Sequence, residues 1–157
     1  MSPGIVVAVC SSAEGGVPKL EQPQITIGAY GVEGDYHAGE ITRHGNRAGE
    51  PNRRQVSLVA KEAVDEAASA LGVKIPVGGL GENVLLQGLG DLSAVEPGQT
   101  LRFSSGVELE VTAQNQPCKN LMVWHDQVPK KLYGKRGLLT VVKTPGIVSP
   151  GDTVTVG

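Results

Sequence analysis

The residue best suited to chemistry is Cys118, in the stretch Val111-Thr112-Ala113-Gln114-Asn115-Gln116-Pro117-Cys118-Lys119-Asn120-Leu121. Upstream, Val107, Leu109 and Val111 alternate with Glu108, Glu110 and Thr112, the two-residue period of a half-buried strand. The strand turns polar and stops at Pro117, a residue type that holds its predecessor extended and fits the first turn of a helix. Cys118 is therefore predicted where a strand hands over to a helix. Unpaired amides at a helix start favour negative charge, and Lys119 sets a cation beside the sulfur, so both favour the thiolate. Such a thiolate can serve as nucleophile, sulfur acceptor or soft-metal ligand. The plainer alternative is a small buried residue that happens to be Cys. Further on, His125 lies about two helical turns away and would suit a Cys-His pair, although Pro129 is expected to break that stretch.

A second polar concentration begins at Gly31-Val32-Glu33-Gly34-Asp35-Tyr36-His37-Ala38-Gly39 and runs irregularly to about Arg54, carrying His44, Arg43, Arg47 and Arg53 as well. A structureless segment of this length inside a compact domain is often functional or mobile. Asp35 and His37 form either an Asx-turn beside a solvent-facing histidine or part of a polar site wall. Together with His44 they match no zinc spacing. Arg53 and Arg54 suit a bidentate clamp on a phosphate, or are simply solvated charges. A third group is Gly81-Glu82-Asn83-Val84, at the end of a Gly-rich turn. A Gly-rich loop before a strand is not a phosphate-binding P-loop, so its glycines are expected to allow close approach to a neighbour or ligand, with Glu82 and Asn83 as hydrogen-bonding candidates on the rim. Finally, Gly134-Lys135-Arg136-Gly137 puts two cations at a turn.

The elements that must position these groups are mostly strands. Gly4 to Cys10 reads as a buried strand ending in a packed thiol, and Gln24 to Gly28 as a short second one. Gln55 to Val59 is strand-like, as are Val84 to Gln87, Leu138 to Lys143 and Asp152 to Val156. Thr100–Phe103 and Val107–Thr112 form a hairpin across Ser104-Ser105-Gly106. The clearest helix is Lys61 to Leu71, with Val64, Ala67, Ala68 and Leu71 at helical spacing and Gly72 as the stop. An internal echo, Glu96-Pro97-Gly98-Gln99 against Ser149-Pro150-Gly151-Asp152, marks two type II turns, each feeding a strand of a closed architecture.

The composition agrees. Gly 22 and Pro 10 in 157 residues imply many turns, as in a β or mixed barrel forming a single domain over residues 1–157. Charged residues are 19%, the net charge is -2 and aromatics are 3%, which argues against a nucleic-acid footprint or base-stacking platform. The two cysteines lie far apart, and nothing suggests a disulfide framework, though a bond between them stays open. The apolar run Ile5 to Val9 is too short for a signal peptide or a membrane span, so a cytoplasmic location is the expectation.

Taken in order, several of these stretches resemble the MOSC family, the domain named after the C-terminal part of molybdenum cofactor sulfurases. The carriers are Gly31-Val32-Glu33-Gly34-Asp35-Tyr36-His37, Arg53-Arg54-Gln55-Val56-Ser57-Leu58, Gly81-Glu82-Asn83-Val84, Gln116-Pro117-Cys118, Arg136-Gly137-Leu138-Leu139-Thr140-Val141-Val142 and Gly146-Ile147-Val148-Ser149-Pro150-Gly151-Asp152. Tyr36 departs from the basic or small residue that the family often has there. The resemblance runs from about Gln24 to the end. It implies a mainly β (α+β) fold, a closed β-barrel-like domain with a few peripheral helices. It also implies a functional Cys118 that carries sulfur as a persulfide or ligates molybdenum in the molybdenum cofactor (molybdopterin). Asp35, His37, Arg53, Arg54, Glu82, Asn83 and Arg136 are then the expected cofactor-binding residues. At the family level it implies pyridoxal phosphate binding as well, although the barrel leaves no room for a desulfurase domain dependent on that cofactor. Reduction of an N-hydroxylated small molecule, or sulfur loading, would therefore need a redox partner or a cysteine desulfurase, since the chain has no ferredoxin-type cysteine set and no flavin or nicotinamide motif. The competing reading is a non-catalytic barrel that binds a phosphorylated or anionic ligand.

Overall fold

A computed structural model describes residues 2–157. The elements in order are β1 (Gly4–Ser11), β2 (Leu20–Gln22), β3 (Ile25–Gly28), β4 (Gly31–Val32), β5 (Val56–Ala60), α1 (Lys61–Leu71), β6 (Val84–Gln87), β7 (Thr100–Phe103), β8 (Glu108–Gln114), a 3-10 turn (Lys119–Val123), α2 (Val128–Lys131), β9 (Leu138–Thr144), β10 (Gly146–Val148) and β11 (Thr153–Val156). Seven strands close on themselves in the order β1-β11-β7-β8-β9-β5-β6 and back to β1, while β2 extends the edge of β1. Closure removes the exposed edges that an open sheet would present. The strands β10, β3 and β4 pair in that order into a separate three-stranded sheet.

All neighbours in the ring are antiparallel except β5 and β6. A parallel pair needs a crossover, and α1 supplies it. The helix lays Ala63, Val64 and Ala67 against the barrel and ends at Gly72 in the left-handed region, as the sequence spacing predicts. β5 is buried at every position, Val-Ser-Leu-Val-Ala, because the helix and the barrel interior cover both of its faces. Inward-facing Val6, Leu58, Leu86, Leu101, Leu109, Leu138 and Val154 fill the barrel.

The Pro-Gly echo has a structural meaning. Gly98 and Gly151 take φ 93° and 94°, and Gln99 and Asp152 donate back to the carbonyls of Glu96 and Ser149. These are type II turns, which require the glycine. They deliver β7 and β11, which then pair with each other.

Two expectations about elements change. Pro129 does not break the segment after Cys118: it occupies the first turn of α2, where its missing N–H costs nothing. The stretch from Gly31 to Arg54 is not structureless either. Thr42 N donates to Glu50 O, Gly49 N to Thr42 O and Asn52 N to Glu40 O, with an Ile41–Pro51 bridge, so residues 40–52 form a small hairpin. Its residues alternate poorly and contain Gly45 and Gly49, which hides the pairing from a periodicity reading. Among the described residues no helix is long and apolar enough to cross a membrane.

Candidate functional site

Cys118 sits where the strand-to-helix handover was predicted. β8 ends at Gln114, Asn115 N is held by Gly137 O at 2.8 Å, and Cys118 is extended (φ -135°, ψ 172°) directly before the 3-10 turn. Leu121, fully buried, anchors that turn. Its amide donates to Cys118 O, so the backbone is fixed while the side chain is exposed. The alternative of a buried structural thiol therefore fails. Both cysteines are free.

The cation at the sulfur is Arg136, not the neighbouring Lys119. Arg136 Nη1 donates to Gln116 O at 2.9 Å and lies 3.2 Å from Cys118 Sγ, while Nη2 donates to Leu80 O at 3.0 Å. The side chain is only 7% exposed, and its Nε is buried without a partner. Gly137 makes this placement possible: a Cβ there would stand 2.0 Å from Leu58 O, so the chain after Arg136 presses directly on β5. On the other side of Sγ, Asn120 Oδ1 accepts the thiol at 2.5 Å. Asn120 was not singled out in the sequence; its one signal is its position two residues after Cys118.

These groups open into a cavity of about 900 Å³, which is also lined by His37, His44, Arg47, Arg53, Arg54, Gly81 and Gln114. Its size is that of a cofactor or small-molecule site. Arg54 faces the cavity. Burial first, and the neighbouring Arg136 second, push its pKa down, while Cys118 pushes it up. The two guanidiniums and the thiol thus share one field. His37 is half-buried and its pKa is pushed down to about 4, by burial first and by Arg54 second. At neutral pH it is an uncharged hydrogen-bonding group. Tyr36 stacks on His44 with ring centres 4.0 Å apart and meets His37 edge-on. A small chamber of about 60 Å³ lies behind, sharing His37, Thr42, His44 and Arg54 with the main cavity.

Asp35, Glu82 and Asn83 are in the same region but behind the wall, with their hydrogen bonds used internally. Asp35 is ion-paired with Lys19, both oxygens 2.7 Å from Nζ, and also accepts the amides of Ser12 and His37. It therefore does make the Asx-turn, and it holds His37 in place. Glu82 accepts the amides of Gly78 and Leu80; burial pushes its pKa up. It thereby fixes the Gly-rich loop whose Leu80 carbonyl receives Arg136. Asn83 accepts the Ser57 amide and donates to Cys10 O, tying β5 to β1. Two glycines of this loop approach a neighbour, since a Cβ on Gly78 would lie 2.1 Å from Lys19 O and one on Gly79 2.7 Å from Pro76 O, while Gly81 lines the cavity. Lys19, 3% exposed, is a site-building residue that sequence reasoning missed, since an isolated Lys carries no signal of burial. His125 is not in the cavity wall; its Nδ1 accepts the Gln127 amide, and no Cys-His pair forms.

The MOSC domain profile matches residues 33–155. The chain belongs to the MOSC family. A relative from Bacillus subtilis (strain 168), YuaD, whose name assigns it provisionally to metal-sulfur cluster biosynthesis, is 33% identical over 147 residues, taking in 80% of this chain and 76% of its own length. The crystal structure of YuaD from Bacillus subtilis superposes with a TM-score of 0.86 at 26% identity, over 99% of this chain and 96% of that one. The structure of YiiM from Geobacillus stearothermophilus gives 0.74 at 20% identity, over 99% and 75%. At that identity the likeness is one of fold, and it confirms the closed barrel expected from the MOSC resemblance.

Chemically, this MOSC domain offers one exposed thiol flanked by cations in a large open cavity. Among the described residues, no three His, Cys, Asp or Glu side chains converge as a metal site. A metal here would have to arrive with ligands of its own, leaving Cys118 as the one protein donor. That donor set fits a soft metal carried by an organic cofactor.

Proposed function

We propose that this MOSC domain is a sulfur-handling protein in which Cys118 carries sulfur as a persulfide or ligates the molybdenum of a phosphate-bearing molybdenum cofactor. The observation that carries this reading is Arg136 Nη1 at 3.2 Å from an exposed Cys118 Sγ inside a cofactor-sized cavity. Negative charge on sulfur is stabilised there by direct contact with the guanidinium, while the buried Glu82 spends its oxygens on the Gly78 and Leu80 amides. Cys118 would hold the metal, and Arg53, Arg54 and Arg136 would hold the phosphate. When bound, the cofactor supplies a metal centre that changes oxidation state. The protein's own part is to fix the thiol, to hold a neutral His37 at the wall and to neutralise the ligand's charge. A cysteine desulfurase would load the sulfur, or a redox partner would deliver electrons to a small N-hydroxylated substrate; a cytoplasmic setting suits all of these.

The competing reading, an anion-binding barrel without sulfur or metal chemistry, draws on the same arginines. The two separate on Cys118. Protein from a molybdenum-replete host is analysed for molybdenum, and reduced protein is treated with polysulfide and weighed intact. The expected result is bound molybdenum, or a mass gain of about 32 Da per added sulfur, lost in Cys118→Ala. Timed iodoacetamide labelling of the metal-free sample should modify Cys118 much faster than Cys10. Equal labelling of the two thiols, with neither molybdenum nor added sulfur, would leave the anion-binding module as the function.

A further inference from the structure

The cavity's charges are not balanced. Lys19 is neutralised by Asp35 at 2.7 Å, and Arg47 lies 3.6 Å from Glu50. Among the described residues, Arg53, Arg54 and Arg136 form no salt bridge, and the one carboxyl group acting on Arg136, the buried Glu82, is bound to backbone amides instead. Two of them, Arg54 and Arg136, act on each other and on Cys118. Holding like charges together in a partly enclosed wall is unfavourable unless an anion joins them. The unpaired, buried Nε of Arg136 points the same way. An anion bound between these cations would lie against the sulfur, because Arg136 Nη1 is 3.2 Å from Sγ.

From this arrangement we infer that Cys118 draws its sulfur from a small sulfur oxyanion of the thiosulfate class, whose sulfonate group is held across Arg54 and Arg136. The inference rests on the persulfide reading and names its donor. The planar guanidinium of Arg54, which lines the cavity, matches two oxygens of such a group as it does those of phosphate, while Arg136, its Nη atoms already donating to Gln116 O and Leu80 O, supplies charge beside the sulfur. Asn120 Oδ1 holds the thiol hydrogen at 2.5 Å until the proton leaves to solvent through the open cavity. The thiolate then attacks the outer sulfur of thiosulfate. A bond forms from Sγ to that sulfur, and the sulfur–sulfonate bond breaks. Sulfite departs with the electron pair, and a persulfide anion remains on Cys118. Atoms, charge and electrons balance, with no external oxidant or reductant. The difficulty of the step is that an anion must meet a dianion, and fixed cations at the point of contact offset that repulsion. Transfer from a protein-bound persulfide has no such demand for two guanidiniums.

The test uses the reduced full chain, free of molybdenum, with sodium thiosulfate under anaerobic conditions. Sulfite is measured alongside intact mass, and inorganic polysulfide is run in parallel. Cys118 should gain one sulfur for each sulfite released, and Cys118→Ser should gain none. Arg54 reaches the cavity surface, so its replacement spares the core. Arg54→Gln should lower the thiosulfate rate relative to the rate with neutral iodoacetamide by about tenfold or more, with Arg54→Lys in between. An unchanged ratio in Arg54→Gln would overturn the assignment. Loading by polysulfide but not by thiosulfate would also overturn it while leaving the persulfide reading intact. Loading by neither, with Cys118 still alkylated readily, would remove both.

Discussion

At Cys118 and Cys10 the same thiol meets opposite surroundings. Cys10 is fully buried at the end of β1, and its pKa is pushed up to about 12, by burial first and by the nearby Glu82 second. Cys118 is exposed, with a guanidinium on one side and an amide oxygen on the other. This contrast was legible in the sequence, because an apolar run and a Pro-terminated polar strand are different settings. The choice between two cations was not: Lys119 beside the sulfur and Arg136 across the site were both expected, and it is the pairing of β8 with β9 that gives the contact to Arg136. His37 shows a second effect at this scale. Its depressed pKa, about 4 against an ordinary 6.5, means that below 6.5 the unfolded chain takes up a proton that the folded chain refuses. Stability attributable to His37 is therefore complete above pH 6.5 and is lost as pH falls toward 4. The full loss is at most about 3 kcal/mol, from the size of the shift. Glu82, with its raised pKa, works in the opposite direction, so the comparison must be made with a variant. Between pH 7 and pH 4.5, urea unfolding should show wild type losing more stability than His37→Gln. Parallel losses in the two proteins would mean that His37 is not the titrating group.

Helices and strands set the limits on what each residue can do. The Lys19–Asp35 pair joins the segment after β1 to the start of the 31–54 stretch, and Asp35 also receives amides from Ser12 and His37. One buried carboxylate thus fastens three backbone segments, one of which carries His37 into the cavity wall. Removing one partner leaves an uncompensated buried charge, which typically costs about 3–5 kcal/mol. Lys19→Met should lose stability of that order in denaturant titration. The double variant Lys19→Met with Asp35→Asn should recover part of the loss, since the carboxylate charge goes while an amide oxygen can still accept one of the backbone amides. If the double variant is instead as unstable as the sum of the two single changes, the pair is not coupled as the geometry indicates. At this scale the sequence was an uneven guide. The boundaries of α1 and the hairpin of β7 and β8 follow from periodicity and caps. The 3-10 turn and α2 are short, and their stability comes from the anchors Leu121, Val128 and Leu132 rather than from local propensity, while the 40–52 hairpin is tied down by the buried Asn52, whose Nδ2 donates to the carbonyls of His37 and Gly39.

Across the molecule, barrel closure decides which segments meet. Cys118 follows β8, Arg136 precedes β9 and Arg54 precedes β5, and these three strands are consecutive in the ring. The end of β8 and the start of β9 are antiparallel neighbours, so they deliver Cys118 and Arg136 to one rim, while Arg54 reaches the same cavity from the loop before β5, which Thr112 Oγ1 fastens to β8 by donating to Arg53 O. No periodicity in the chain states the order of strands around a barrel; the family resemblance implied the closed barrel, and the order appears only in the strand pairing. The result is a protein of net charge -2 with a positively charged cavity. Charge segregated in this way should be felt by a reagent before it reacts. A dianionic aromatic disulfide such as 5,5′-dithiobis(2-nitrobenzoate) should be drawn to Cys118 by Arg53, Arg54 and Arg136, whereas iodoacetamide, being neutral, should not. The Debye length falls from about 30 Å at 0.01 M salt to about 3 Å at 1 M. Raising sodium chloride across that range should slow the disulfide reaction several-fold and leave the iodoacetamide rate nearly constant. Stopped-flow absorbance of released thionitrobenzoate, with Cys118→Ser as the blank, gives the rate directly. If both reagents respond to salt alike, the field of the rim does not reach the approaching anion, and the three arginines are acting only as local hydrogen-bond donors.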